Sequence, residues 1–232
     1  MNEKYRHEIK YVCGDTELKL VEKRLQSLMR PDPYAGDTGE YAIRSVYFDD
    51  YRRSCFYENE NGIAPREKFR IRIYNCSEKR ITLEKKTKIR DMTGKQGYIL
   101  DYDTCMKMVR GEKLLECMGR NPLLDEWILA RNNRLLKPIL LGEYVRKPYV
   151  YPLGNVRVTF DRNISASRKW SDMFNKQIPR VSVLPTGYHV LEVKYDDFLS
   201  DVIYQLIENG HMQQSAFSKF YLGCKALEGR LL

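Results

Sequence analysis

The stretch Phe69-Arg70-Ile71-Arg72-Ile73-Tyr74 decides the fold, because two arginines stand two residues apart with Ile71 and Ile73 in the alternate positions. Successive side chains of a β-strand point to opposite faces, so this alternation sets cations on one face and aliphatic groups on the other. Arg66 and Lys68 extend the charged row upstream. Four cations in a row are held together by solvent, as on a solvated edge strand, or by a bound polyanion.

The same spacing recurs in five other segments, carrying Arg6/Glu8/Lys10, Glu84/Lys86, Tyr144/Arg146, Arg157/Asp161 and Glu192/Lys194. The opposite faces, such as Ile9 and Tyr11, Val158 and Phe160, or Leu191 and Val193, are apolar and must be buried. Helical spacing supplies the cover. Leu18, Val21, Leu25 and Leu28 follow an N-cap at Asp15 or Thr16 and run to Pro31, residues 101–135 carry two or three helices between strands, and Leu199 to Ile207 stop at Gly210. Helices packed outside leave the charged faces looking at one another. A sheet that closes on itself then puts those faces in its lumen, giving an α+β closed antiparallel barrel.

The remaining stretches read as connections. Residues 31–39 form a loop, Tyr41 to Asp49 a strand, 51–59 are ambiguous, Asn61-Gly62 is a turn, and Pro138 restarts β-structure. Thr93-Gly94-Lys95 reads as a flexible basic loop. Residues 165–186 read as a long loop whose length suggests a mobile functional segment. Gln213 to Tyr221 reads as a short terminal helix.

A chain of 232 residues suits one domain spanning 1–232, with the helical insertion at about 101–135. Forty Lys and Arg against 31 Asp and Glu give +9, which favours nucleic acid, anionic lipid or phosphate compounds. Cations at barrel register argue against the external patch that nucleic-acid binding requires. The six cysteines lack the close pairing of a structural zinc site and read as reduced thiols. No secretory h-region and no membrane-length apolar run stand out, so the expectation is a cytoplasmic chain that a membrane-protein partner could tether. His7, His189 and His211 read as structural, as do Trp127 and, less clearly, Trp170. No thiol has a histidine partner for covalent catalysis.

Desolvating an unpaired ion costs several kcal/mol, so a charged lumen calls for water and a guest. Excess cations call for a polyanion, and arginine's planar fork suits phosphate oxygens. Glu8, Glu84 and Glu192 among the cations suit a divalent metal bridging carboxylate to phosphate.

Several short motifs, in this order, resemble the VTC domain, the polyphosphate polymerase domain of the vacuolar transporter chaperone proteins, within the CYTH-like triphosphate tunnel metalloenzymes. They are Arg6-His7-Glu8-Ile9-Lys10, Ser45-Val46-Tyr47-Phe48-Asp49, Arg70-Ile71-Arg72, Leu83-Glu84-Lys85-Lys86, Arg157-Val158-Thr159-Phe160-Asp161, Leu191-Glu192-Val193-Lys194-Tyr195 and Phe217-Ser218-Lys219-Phe220. The resemblance implies a tunnel of about eight strands that binds ATP and inorganic polyphosphate with Mn2+ or Mg2+. It further implies transfer of the ATP γ-phosphoryl group to a growing chain. Within it, Arg70, Arg72, Arg157 and Lys219 are the expected catalytic cations. Lys10, Lys86, Lys95, Arg146, Lys194, Arg6 and Ser218 would bind phosphate, and Glu192, with Glu8 and Glu84, would bind metal. Arg6 stands where the triphosphatase branch carries Glu, which favours the polymerase branch. Gln96 and Gly97 stand where the family pattern has further basic residues. The rival readings are a triphosphatase in the same tunnel and a non-catalytic polyphosphate- or nucleotide-binding module.

Overall fold

Charge and aliphatic groups do alternate along strands, and the strands close. The computed structural model describes residues 5–208 and 212–229. Its strands are β1 (Arg6–Gly14), β2 (Arg30–Pro31), β3 (Tyr41–Asp49), β4 (Arg66–Tyr74), β5 (Ser77–Ile89), β6 (Met92–Leu100), β7 (Lys137–Tyr151), β8 (Val156–Ser167), β9 (Val181–Ser182) and β10 (Tyr188–Tyr195). The helices are α1 (Asp15–Leu25), α2 (Ser54–Glu60), α3 (Tyr102–Arg110), α4 (Pro122–Arg134), α5 (Asp201–Ile207) and α6 (Lys219–Leu227). Hydrogen bonding runs β7-β3-β4-β5-β6-β1-β10-β8 and returns to β7, a closed eight-stranded antiparallel barrel. The short β2 and β9 add to β7 and β8.

Local chemistry sets the hairpins. β4 and β5 are joined by Asn75 and Cys76, both at positive φ (51° and 56°), the primed turn that matches strand twist. Asn75 Oδ1 also accepts the Ala42 N–H at 2.8 Å, tying the turn to β3. The seam is the weak point of the ring, since β6 and β1 pair only through Arg6 with Thr93 and His7 with Met92. Beyond it the free edge of β1 is taken by the segment before α6: Tyr11 bridges Gln214, and the Ser215 N–H donates to the Lys10 carbonyl at 2.8 Å.

The apolar faces are covered from outside. α1 and α5 bury Leu18, Val21, Leu25, Ile203 and Ile207 against Val158, Phe160, Leu191 and Val193. α3 and α4 bury Met108, Leu124 and Trp127 against Ile71, Ile73, Ile81 and Leu83. α6 lies close to the wall because Gly223 replaces a side chain whose Cβ would stand 3.3 Å from Leu140 and 3.4 Å from Ala166. None of the helices among the described residues is long and apolar enough to cross a membrane.

Several sequence expectations change. α1 stops at Leu25, so Leu28 is exposed and Met29 fills the core instead. The ambiguous 51–59 stretch holds α2, whose first N–H groups are held by the buried Asp49 and Asp50 carboxylates. Thr93-Gly94-Lys95 is not a loop, because the β5–β6 turn is confined to Arg90-Asp91 and Lys95 is a strand residue opposite Lys86. The 165–186 segment is fastened down, not loose. β8 continues to Ser167, Met173 and Ile178 join the core, and the buried Arg44 donates to the carbonyls of Met173 (2.9 Å), Asn175 (2.5 Å) and Lys176 (3.3 Å). The terminal helix begins only at Lys219, because the residues before it follow β1. Gly210 and His211 lie outside the described residues.

Trp127 is buried and packs edge-on against Phe48, ring centroids 5.4 Å apart, on the outer side of the barrel wall. Trp127→Ala should cost about 3–5 kcal/mol of stability. Urea unfolding monitored by far-UV circular dichroism measures it, and an unchanged midpoint would contradict this account of the wall.

Candidate active site

Residues of all eight barrel strands, charged in every strand but β3, meet in one cavity of about 600 Å³. Thirteen Lys and Arg line it, against Glu8, Asp91 and Glu192. Four further carboxylates, Asp32, Glu84, Asp161 and Asp196, are ion-paired to lining cations. The excess of six positive charges is two thirds of the net +9 of the whole chain. The basic character of the protein is therefore concentrated inside the barrel, and every residue expected at the site except Glu84 is part of the lining.

Three clusters organise the bore. In the first, Glu84 is met by Arg70 at 2.6 Å, Lys95 at 3.0 Å and Arg72 at 3.6 Å. Burial pushes the Glu84 carboxyl up, but Arg72, Arg70 and Lys95 outweigh it and hold the group below the usual carboxylate range. In the second, Glu8 is met by Lys10 (2.7 Å), Lys86 (2.9 Å) and Lys194 (3.4 Å), and Glu192 by Lys194 (3.1 Å), Arg146 (3.4 Å) and Lys10 (3.8 Å). Both carboxyls are held well below their ordinary values, burial being overcome by these cations. In the third, Asp161 accepts two parallel bonds from Arg146, both 2.7 Å, and an ion pair from Lys219 at 2.6 Å. Lys219 also lies 4.6 Å above the Tyr144 ring, and Phe217 and Phe220 beside it complete the lining.

The carboxylates do not saturate the cations. Arg72 is buried, its Nε has no hydrogen-bond partner among the described residues, and its only carboxylate contact is the long one to Glu84. Thr159 Oγ1, in the same lining, also lacks a partner. A buried donor left unmatched costs about 1–3 kcal/mol, so this arrangement suits an acceptor-rich guest.

Other expected residues have more local roles. Arg6 pairs with Asp196 at 2.9 Å and donates to the Asn155 carbonyl. Arg157 reaches Asp32 at 2.7 Å and the Tyr41 hydroxyl at 3.0 Å. Ser218 caps α6, its hydroxyl accepting the Tyr221 N–H at 3.3 Å. Asp161 was visible in the alternation, but its grip on both Arg146 and Lys219 was not. Asp32 and Asp196 sit in loops, where no periodicity marks them.

The donor set bears on the metal. No three His, Cys, Asp or Glu side chains converge among the described residues, so there is no all-protein cage. Glu8 and Glu192 both reach the one Lys10 ammonium, which places two carboxylates around a single cation. That set fits an Mg2+ or Mn2+ ion that shares one or two carboxylates with phosphate oxygens. Glu84 stands apart from it, locked by Arg70 and Lys95.

Among the described residues, His7 is the one histidine in the lining. The lining holds no cysteine, and burial pushes the Cys13, Cys105 and Cys224 thiols up to about 12. His7 stacks on Tyr195, and His189 bonds Asp15 at 2.8 Å away from the cavity.

A closed antiparallel barrel whose bore is lined by cations is an α+β tunnel fold. The model of the VTC domain matches residues 5–228, and the chain belongs to that family. Solved structures with the same fold include a Hippeastrum protein assigned as an adenylyl cyclase, with a dominant triphosphatase activity. It is 12% identical, covers 98% of this chain and 97% of its own, and has a TM-score of 0.58. A Bacillus halodurans protein assigned as an adenylate cyclase is 13% identical over 89% of each chain, with a TM-score of 0.51. No curated protein sequence matches the chain. At such identities the structural likeness is one of fold.

Lys86 gives the site a pH signature. Burial, with Lys10 and Lys194 beside it, pulls its ammonium down to about 7 against the attraction of Glu8. A bound polyanion reverses that, so tripolyphosphate should take up protons at pH 8, seen as a buffer-dependent enthalpy in titration calorimetry and reduced in Lys86→Met. In the free protein the unfolded chain holds the extra proton above pH 7, so stability should rise between pH 6.5 and 8. A melting temperature that falls over this window, or buffer-independent enthalpies, would contradict the assignment.

Proposed function

We propose that this chain is a polyphosphate polymerase, moving the γ-phosphoryl group of ATP onto the end of a polyphosphate chain inside the barrel. The observation that carries the reading is the under-neutralised bore, thirteen cations against seven carboxylates, with no cysteine thiol in it. Phosphoryl transfer asks a protein mainly to align the two oxygens in line and to offset charge on the transferred group. Fixed guanidinium and ammonium groups do both, and in this reading transfer goes directly to the acceptor.

In this reading the γ-phosphate lies against Arg70, Arg72 and Lys219, with Arg157 nearer Asp32. Arg72 has the most unsatisfied donors, so it gains the most from a phosphate oxygen. Glu84 and Asp161 fix the guanidinium and ammonium directions before substrate arrives, which lowers reorganisation during the reaction. Lys10, Lys86 and Lys194, already gathered on Glu8 and Glu192, offset the charge of the acceptor chain. Glu192, with Glu8 beside it, would hold a divalent ion, and that ion would neutralise phosphate charge during transfer.

Arg6 supports this reading over hydrolysis. It leaves Glu8 as the one carboxylate that β1 gives to the tunnel, and Arg6 itself is committed to Asp196. The second reading, a triphosphatase, is favoured by the activity of the Hippeastrum protein of like fold. Incubating pure protein with ATP and Mn2+ distinguishes them: long polyphosphate on a gel is expected, free phosphate without chains would indicate the triphosphatase, and neither product would leave a binding module.

Two variants probe the roles. Arg72→Ala should lower activity by about 100-fold or more while the melting temperature stays within a few degrees, because little in the empty tunnel holds that guanidinium. Loss of the folded state instead would make Arg72 structural. Glu192→Gln should shift the Mn2+ titration of activity to higher concentration, and an unshifted titration would reject Glu192 as a ligand.

A further inference from the structure

The tunnel cations fall into two groups. Those around Glu8, Glu84, Asp161 and Glu192, with Arg6 on Asp196 and Arg157 on Asp32, each have a carboxylate within 4.0 Å. Arg66, Lys68 and Lys88 line the same cavity and form no ion pair among the described residues. Arg66 donates only to the Glu58 and Ile63 carbonyls, both at 3.4 Å, and Lys68 only to Asn59 Oδ1 at 3.1 Å. Asp91 and Glu8 attract Lys88 through space without pairing to it.

The register makes this arrangement costly. Arg66 stands directly opposite Lys88, and Lys68 directly opposite Lys86, across β4 and β5. Like charges in such positions destabilise a sheet. Burial lowers all three pKa values, that of Lys68 to about 8. Lys68 lies 4.7 Å from the Phe220 ring centroid, but no carboxylate pairs with any of the three among the described residues, and an anion lying along the two strands would relieve every one of these repulsions.

Position says which anion. Arg66 lies four residues along β4 from Arg70, about 13 Å at strand rise, so the row continues the bore away from the Glu84 cluster. The interior of an eight-stranded barrel admits side chains and one slender ligand, which suits a thread of phosphates without bases. We propose that Arg66, Lys68 and Lys88 form a second anion station that grips linear polyphosphate beyond the transfer site, so that long chains bind more tightly than triphosphate. The proposal rests on the polyanion-tunnel reading above and adds to it the part of the wall that measures chain length.

Titration calorimetry of the full chain with tripolyphosphate, long-chain polyphosphate and single-stranded oligothymidylate tests this. The wild type should bind the long chain more tightly per end than tripolyphosphate. The triple variant Arg66→Gln, Lys68→Met, Lys88→Gln should weaken long-chain binding at least about tenfold and leave tripolyphosphate within about twofold. Equal losses for both phosphates would fold the three residues into the triphosphate site, and no loss for either would make them bystanders; each overturns the station. Oligothymidylate that binds as tightly as polyphosphate and loses equally would make the row a nucleic-acid track, which also overturns it. A wild type that prefers long chains yet makes no polymer from ATP would sink the polymerase and keep the station. If the triple variant fails to melt cooperatively, Lys88→Gln alone takes its place, with a smaller loss still confined to the long chain.

Discussion

Like charges set two residues apart along neighbouring strands repel one another, and the bore exists because a few carboxylates are placed between them. Glu84 holds Arg70 and Lys95, Asp161 holds Arg146 and Lys219, and Glu8 with Glu192 gathers three lysines. Glu84, Asp161 and Glu192 are buried, the Glu8 side chain is 6% exposed, and each contacts at least two cations. The same contacts that keep the barrel from bursting also aim the cations inward, so the stabilising network and the candidate site are one set of atoms. Because it stops short of neutrality, the interior keeps a standing affinity for a polyanion.

That affinity depends on the outside of the wall. The aliphatic halves of the strands are buried by α1 with α5 on one side and by α3 with α4 on another, and this burial offsets the electrostatic cost of the lumen. The Arg44 guanidinium pins the long segment after β8 over the wall. α6 then brings Lys219 to Asp161 from the far end of the chain, closing one set of charges with a residue that no strand supplies.

Much of this was legible in the linear chain. Alternation at Phe69–Tyr74 and at five further segments, with helical spacing between them, implies a barrel with charged interior and helices outside, and the ring of eight strands agrees. The site residues could be named for the same reason: a two-residue period fixes a face, and closure turns all such faces to one axis. The readings that failed lie where period gives no information. Thr93-Gly94-Lys95 looks like a loop because Thr, Gly and Lys favour turns, yet pairing with β5 makes it strand. Residues 165–186 look loose because their anchor, Arg44, stands about 130 positions away.

The sequence by itself determined which side chains face the lumen and that cations outnumber acids there, since both follow from strand periodicity and composition. Only the tertiary structure decided which acid meets which cation: that Asp161 is shared by Arg146 and Lys219, that Arg72 keeps an unmatched donor, and that Arg66, Lys68 and Lys88 have no ion pair among the described residues. Pairing depends on register between strands distant in sequence and on a helix entering the barrel, and neither is encoded within the span of one strand.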